Sequence, residues 1–371
     1  MSPICDLVLL GWNHLEETKP CLESLIKHTD VPSRLFIVDN GSEAPVREFL
    51  RGVRPAGMLR EVVLLQNERN EGFPGGMNRG LRESRAPYAC ILNNALVFTP
   101  QWLSRLIEVA ERHPDVGVLN PSSSTFGDYP PRGMSLDAYA DSLASTRGAY
   151  VEVGMCIGFC MLITRAVIER IGVLTDEVER IFFEDEDYCM RAQQAGFRCV
   201  VVDSTYVYHA EHRTVRQMPE REALFGRNRQ WCERKWGRWL RLACPRFQPI
   251  APGSPELRQW LERLVDWARR RTHVYVYAPL PSGHTKEALF RSVGLVPHAD
   301  VLWRVMQERP LLRLAAMGNI LARQKKRFDA IVAPDPAWAA AMRALRWAHR
   351  APVLSVDDDE RFEQLWQSRS L

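Results

Sequence analysis

Long hydrophobic runs are missing from this sequence. The longest apolar stretch runs from about Val153 to Ile163. A bilayer helix needs ~20 apolar residues, so no transmembrane span is expected. The opening residues Met1-Ser2-Pro3-Ile4-Cys5-Asp6 have no basic region and no small-residue cleavage site, and no secretory signal is expected. Cys-x-x-Cys pairs are also missing. The 9 cysteines are scattered and odd in number, which speaks against a disulfide framework or a zinc ribbon and points to the cytosol. Lysine is scarce, with 6 against 43 arginines. Arginine suits bidentate phosphate binding, but GC-rich coding is the plainer source of this bias. The net charge of +4 carries no strong nucleic-acid signal. No internal repeat and no low-complexity tract is visible.

The chain has 371 residues, 46% of them apolar and 25% charged. That is ordinary globular usage, and the length suggests two domains. Residues 5–11 (CDLVLLG) read as a buried strand, a short apolar run ending in glycine. A helix is expected from about Glu16 to His28. Strands follow at Leu35–Val38, Val62–Leu65 and Ala89–Leu92, with a helix from about Gly76 to Ser84 between the last two. Strands alternating with helices predict a parallel sheet. In such sheets ligands bind beyond the carboxyl ends of the strands. Polar residues stand at those ends: Asn13, Asp39 and Asn40, Asn67, and Asn93 with Asn94.

Residues 120–150, rich in Ser, Pro, Gly and Tyr, read as a long surface loop. A short helix is expected near 165–171. The acidic run Glu184-Asp185-Glu186-Asp187 begins another helix, and Tyr206–Tyr208 leads as a strand into His209. Residues 220–246 are basic, with Trp231, Trp236 and Trp239 interleaved. Pro249, Pro252 and Pro255 mark a linker. Strands at 273–278, 329–333 and 352–356, with helices near 285–293, 311–326 and 336–349, form a second, smaller α/β unit. The expected division is a first domain at 1–245, a linker at 246–270 and a small domain at 271–371.

The order of motifs resembles the family 2 glycosyltransferases, inverting enzymes of the GT-A fold. The matching pieces are Trp12-Asn13, Val38-Asp39-Asn40-Gly41-Ser42, the string Asn70 to Asn78, Leu92-Asn93-Asn94-Ala95, Pro100-Gln101-Trp102-Leu103, Gly158 to Ile163, Glu184–Asp187 with Arg191 and Gly196, and His209. They cover about residues 4–240. The resemblance is to bacterial enzymes that build rhamnose-containing or related surface polysaccharides. It implies an α/β chain with a GT-A nucleotide-diphospho-sugar transferase domain and a second, smaller α/β domain.

The resemblance assigns roles. Asp39 would accept from the N3–H of a uracil or thymine ring. Spacing alone favours an Asx turn there. Asn13, Asn67, Gly72, Asn78, Asn93, Asn94 and Ala95 would line the donor, a UDP- or dTDP-sugar. Glycines near Gly72 let backbone approach a ligand, and the following helix offers free N–H groups to an anion. Each glycine alone could equally serve a tight turn. Asp185 would be the general base, with Asp187 as second choice and Glu184 beside them. Clustered carboxylates raise one another's pKa, although acidic residues also favour any helix N-terminus.

Ala95 departs from the family pattern. Relatives carry there an Asp that binds Mg2+ or Mn2+ against the diphosphate, and hard cations want oxygen ligands that usually include a carboxylate. A metal-independent enzyme, a lineage that has lost catalysis, and an introduced Asp→Ala substitution all fit the sequence. His209 would complete the metal site in relatives. Beside Ala95 a contact to the diphosphate suits it better. The acceptor would be a glycan, a lipid-linked sugar or a protein. Residues 227–246 suit either a membrane surface or tryptophans packed on the catalytic domain. The expected location is the cytoplasm, with peripheral contact at the inner face of the membrane through that stretch. The rival reading is a non-catalytic nucleotide-sugar-binding or scaffold subunit. A nucleotidyltransferase using a similar sheet fits the Glu-Asp cluster and His209 poorly.

Overall fold

A computed structural model describes residues 2–210, 220–307, 311–323 and 325–369. They divide into two compact units: Met1–Val151 with Met155–Cys232, and Glu152–Gly154 with Glu233–Leu371. His212, the i+3 neighbour of His209, lies outside the described residues.

The first unit opens with β1 (Cys5–Gly11), α1 (Leu15–His28), β2 (Ser33–Asp39), α2 (Ala44–Arg51), β3 (Leu59–Gln66), α3 (Gly72–Glu83) and β4 (Tyr88–Asn93). It continues with β5 (Leu96–Phe98), α4 (Trp102–Arg112), β6 (Val116–Ser122), α5 (Leu136–Ser142), β7 (Tyr150–Glu152), β8 (Cys160–Thr164), α6 (Arg165–Ile171), α7 (Glu184–Gln194) and β9 (Arg198–His209). The helix α8 (Arg221–Trp236) follows.

The sheet order is β3-β2-β1-β4-β8-β6-β9-β5, with β7 on β9. Strands β1 to β4 are mutually parallel, and β8 turns antiparallel between β4 and β6. The apolar run of β1 is buried on both faces, as a helix-covered parallel strand should be. Residues 120–150 are not one long loop. They end β6 and contain α5, capped by Ser135 accepting from the Ala138 N–H.

The α3 helix begins at Gly72, so the expected Gly72–Asn78 loop is its first two turns. A Cβ at Gly76 would collide with Leu10 and one at Gly80 with Val8. These glycines bring α3 down onto β1. The mixed α/β fold is the class the sequence implies for a GT-A domain.

The second unit holds β10 (Leu240–Pro245), α9 (Pro255–Arg269), β11 (Thr272–Ala278), α10 (Lys286–Ser292), β12 (Val301–Val305), α11 (Leu312–Leu321), β13 (Ala330–Ala333), α12 (Pro336–Ala344), α13 (Arg346–His349), β14 (Val353–Ser355) and α14 (Asp359–Gln367). Its sheet is parallel throughout in the order β12-β11-β10-β13-β14. Apolar clusters cover both faces.

Residues 246–270, expected as a linker, contain α9. Ser254 caps it, Pro255 fills its first turn, and Leu257, Leu261 and Leu264 are buried. Proline at the first helical position does not break a helix. The basic stretch 227–246 is likewise not one surface. Its last part is the buried strand β10. Trp231 donates to Glu177 at 3.0 Å and Trp239 stacks on His273. None of its three tryptophans is exposed, which favours packing over a membrane face. Among the described residues, no helix is long and apolar enough to cross a membrane. All nine cysteines are free and buried.

Candidate active site

The carboxyl edge of β1, β2 and β3 carries a network of amides. After β1, Asn13 and His14 take left-handed backbone angles, with φ 55° and 52°. Such angles cost energy in non-glycine residues and gather at functional sites. Asn13 receives the Glu43 N–H on its side-chain oxygen at 2.9 Å and donates its own N–H to Ser42 at 3.0 Å. Asp39 is fully buried. One oxygen accepts the Ser42 N–H at 2.9 Å, the other the Gln66 amide at 3.3 Å, and Arg47 lies 3.7 Å away. The turn closed by its side chain, favoured by spacing alone, is therefore formed.

Asn40 is the hub of this edge. Its oxygen accepts from Asn67 at 2.8 Å and from the Glu71 N–H at 3.0 Å. Its amide donates to Asn70 and to the Gly72 carbonyl, both at 3.0 Å. The Asn67 oxygen also takes a short bond from Arg79. Gly72 has φ 76°, and a Cβ there would lie 2.7 Å from the Arg180 Cα. Its smallness thus admits the 180 backbone. Asn78 is turned to the protein: its amide donates to the Leu174 carbonyl and its oxygen accepts the Leu174 N–H, both at 2.9 Å. This buried pair ties Asn78 to the Leu174 backbone.

At the end of β4, the Asn93 oxygen accepts the Ala95 N–H at 3.1 Å, and Asn94 donates to Thr18 at 2.9 Å. Ala95 is 7% exposed, and its carbonyl receives the Ala210 N–H at 2.9 Å. Leu96 pairs with His209 across the ladder, so Ala95 and His209 are neighbours. His209 stacks on Phe159 at 5.2 Å, and its Nδ1 sits 2.9 Å from the Thr125 hydroxyl.

Among the described residues, Ala95 brings no side-chain oxygen to a cation and the Asn93 oxygen already accepts the Ala95 N–H, so the motif carboxylate of the family type has no counterpart at position 95. Hard cations require an oxygen-rich shell. Among the described residues, the cluster of metal-capable side chains is Cys156, Cys189 and Cys199, three buried thiols.

The carboxylate helix α7 follows Phe182 and Phe183, both with positive φ. Asp185 accepts the Gly158 N–H at 3.1 Å and the Glu186 N–H at 2.8 Å. Burial pushes its pKa from 3.8 up to about 6, against the lowering effect of those N–H groups. Glu184 is more deeply buried, and burial with the neighbouring Asp185 charge holds it well above the carboxylate range. Asp187 is fully buried in an ion pair with Arg191 at 2.8 Å. Arg191 also ties the carbonyls of Ile171 and Val173. Asp187 is thus held in an ion pair that Asp185 does not make.

One chain of contacts joins the parts. The Asn93 N–H bonds the Phe159 carbonyl at 2.8 Å, and Phe159 carries His209. Its neighbour Gly158 holds Asp185. A Cβ on Gly158 would lie 3.1 Å from the Phe73 ring and 3.8 Å from the Asp185 Cβ.

Residues 11–172 match the family model "Glycosyl transferase family 2". The likeness to family 2 glycosyltransferases lies in this stretch. Over 258 residues the chain is 24% identical to the uncharacterized protein y4gI of Sinorhizobium fredii, covering 63% of this chain and 28% of that protein. Over 114 residues it is 25% identical to an uncharacterized glycosyltransferase of Haemophilus influenzae, covering 31% of this chain and 37% of that one. The chain therefore spans little more than a third of these relatives at most.

Among solved structures, a mannosyltransferase of Pyrobaculum calidifontis with GDP-Man and Mn2+ aligns at TM-score 0.42 and 14% identity, covering 58% of this chain and 59% of that one. GalNAc-T7 with UDP, GalNAc and Mn2+ aligns at TM-score 0.45 and 15% identity, covering 57% and 44%. S. aureus TarS with UDP-GlcNAc aligns at 0.44 and 16%, covering 56% and 58%.

Asn40 and Gly158 stand among the sequence motifs, but neither is given a role there. Asn40 carried a signal, since it adjoins Asp39 at a strand end. The part of Gly158 is its backbone N–H, which leaves no mark in the sequence.

Proposed function

We propose that this chain is an inverting glycosyltransferase that moves a sugar from a UDP- or dTDP-sugar to an acceptor hydroxyl. The observation that carries the proposal is Asp185: a carboxylate pushed up to about 6 and held by the Gly158 N–H, 13 residues past the stretch that matches the family 2 model. A base with a pKa near the working pH can both take and release a proton. Asp185 removes the acceptor's hydroxyl proton as that oxygen attacks the anomeric carbon. The bond from this carbon to the phosphate oxygen breaks, and the nucleoside diphosphate leaves with the electron pair. Configuration inverts in this single displacement.

Asn13, Asp39 and Asn67, at the carboxyl ends of β1 to β3, suit the nucleoside end of the donor. Asn93 and His209 suit the diphosphate end. The product would be a bacterial surface glycan or glycoconjugate, made at the cytoplasmic side of the membrane. The rival, a nucleotide-sugar-binding subunit without turnover, draws on Ala95 in place of the motif carboxylate.

A thermal-shift panel tests the proposal, with UDP, dTDP, GDP and their common sugars, each with Mn2+ and with EDTA. A ligand at 100 times its Kd adds about 2.7 kcal/mol. A shift with a uracil or thymine nucleotide in EDTA is expected. No shift with any nucleotide would overturn the proposal.

A further inference from the structure

The segment that delivers Asp185 is braced from α8. Asn228, 4% exposed, donates its amide to the carbonyls of Glu179 and Ile181, both at 2.9 Å, and accepts the Glu179 N–H at 3.4 Å. From within this brace to the start of α7, three residues take left-handed angles: Arg180 at φ 55°, Phe182 at 82° and Phe183 at 73°. Such angles cost on the order of 1–3 kcal/mol each and persist only where the surroundings over-determine them. Their consequence here is the direction of two side chains. The rings of Phe182 and Phe183 stand 5.4 Å and 5.1 Å from that of Phe225 on α8. Phe225 is 43% exposed, an unusual position for a phenylalanine packed on two others.

We infer that Phe182, Phe183 and Phe225 form the platform that receives the sugar ring of a neutral glycan acceptor. The inference rests on Asp185 being the base. The acceptor hydroxyl must meet that carboxylate, and Phe183 lies two residues before it. A pyranose presents a face of C–H groups ringed by hydroxyls, which suits a partly exposed aromatic surface next to one polar group. A phosphorylated or acidic acceptor would want cations there. Two of the neighbouring cations are engaged: Arg227 binds Glu179 at 2.7 Å, and Arg180 lies 4.0 Å from Glu220. Asn228 is then a positioning residue for both the platform and the base.

The test uses the full chain with methyl hexopyranosides as probes, read by saturation-transfer NMR, beside nucleotide thermal shifts. Wild type should transfer saturation mainly to the C–H protons of one sugar face. Phe225→Ala should weaken binding about tenfold, and Phe225→Trp should retain it. All three should keep the same nucleotide shift, which also shows that they fold. Equal sugar signals in Phe225→Ala would overturn the platform. So would silence from every pyranoside in a wild-type chain that binds nucleotide, and a peptide or lipid acceptor would then be favoured. If wild type binds no nucleotide, the glycosyltransferase reading fails first and the platform falls with it.

Discussion

Replacing Asp185 by Asn should stabilise the protein at alkaline pH while abolishing most of its activity. The Asp185 carboxyl is raised from 3.8 to about 6 in the fold. The folded state therefore holds the proton more tightly than the unfolded chain. This contribution to stability is full below about 3.8 and is lost as pH rises through about 6. At pH 8 the ionised, buried carboxylate costs about 3 kcal/mol. Asn removes that cost. It can accept only one of the two N–H groups, from Gly158 and Glu186, that Asp185 now holds, and the orphaned N–H costs about 1–2 kcal/mol. The net gain is about 1–2 kcal/mol at pH 8, or about 2–8 °C in Tm for a domain of this size. At pH 4 the charge cost is largely gone in wild type, so the gain should vanish or reverse. Turnover should fall about 10²–10⁴-fold, with nucleotide binding nearly unchanged. Scanning calorimetry at the two pH values, beside sugar transfer, reads both. A Tm difference independent of pH would refute the buried-charge argument. Full activity would refute the assignment of the base.

The remaining predictions concern the other parts of the site. Wild-type turnover should rise with pH through about 6 and level off above it, as Asp185 deprotonates. A rate flat from pH 5 to 8 would exclude Asp185 as the group that titrates. Asp39→Ala strands the Ser42 N–H and the Gln66 amide, and should cost about 1–3 kcal/mol in urea unfolding while removing calorimetric affinity for UDP and dTDP. Gly72→Ala should cost at least about 2 kcal/mol, because φ 76° and the Arg180 backbone 2.7 Å away leave no room for a Cβ. Ala95→Asp places a carboxylate beside His209, and should add a Mn2+-dependent thermal shift that the natural chain lacks.

Much of the first unit was legible from residue order. The apolar runs at β1, β2 and β4 are strands because covered parallel strands need little alternation. The acidic run opens a helix because its first turn favours negative charge. Side-chain direction was not legible. Asn78 and Asn67 are the same residue type at similar distances from glycine, yet one bonds Leu174 and the other Asn40. Gly72 reads as an opening toward a ligand, and the space is taken by the backbone of Arg180. Nothing local distinguishes these cases, because the partners of Asn78 and Gly72, Leu174 and Arg180, lie about 100 residues away in sequence. Asp185 and Asp187 sit two apart on one helix, and only burial with Arg191 separates their roles. In the second unit, the helix α9 hid behind three prolines, one of which opens it. The strand β10 hid at the end of a stretch whose tryptophans and arginines dominated its composition.

The most direct test of the account is release of nucleoside diphosphate from UDP- and dTDP-sugars, in the presence of EDTA, by wild type and by Asp185→Asn. Wild type should release it without added metal, and the variant should lose about 10²–10⁴-fold of that rate. Silence from wild type with every donor, or equal release by the variant, would contradict it.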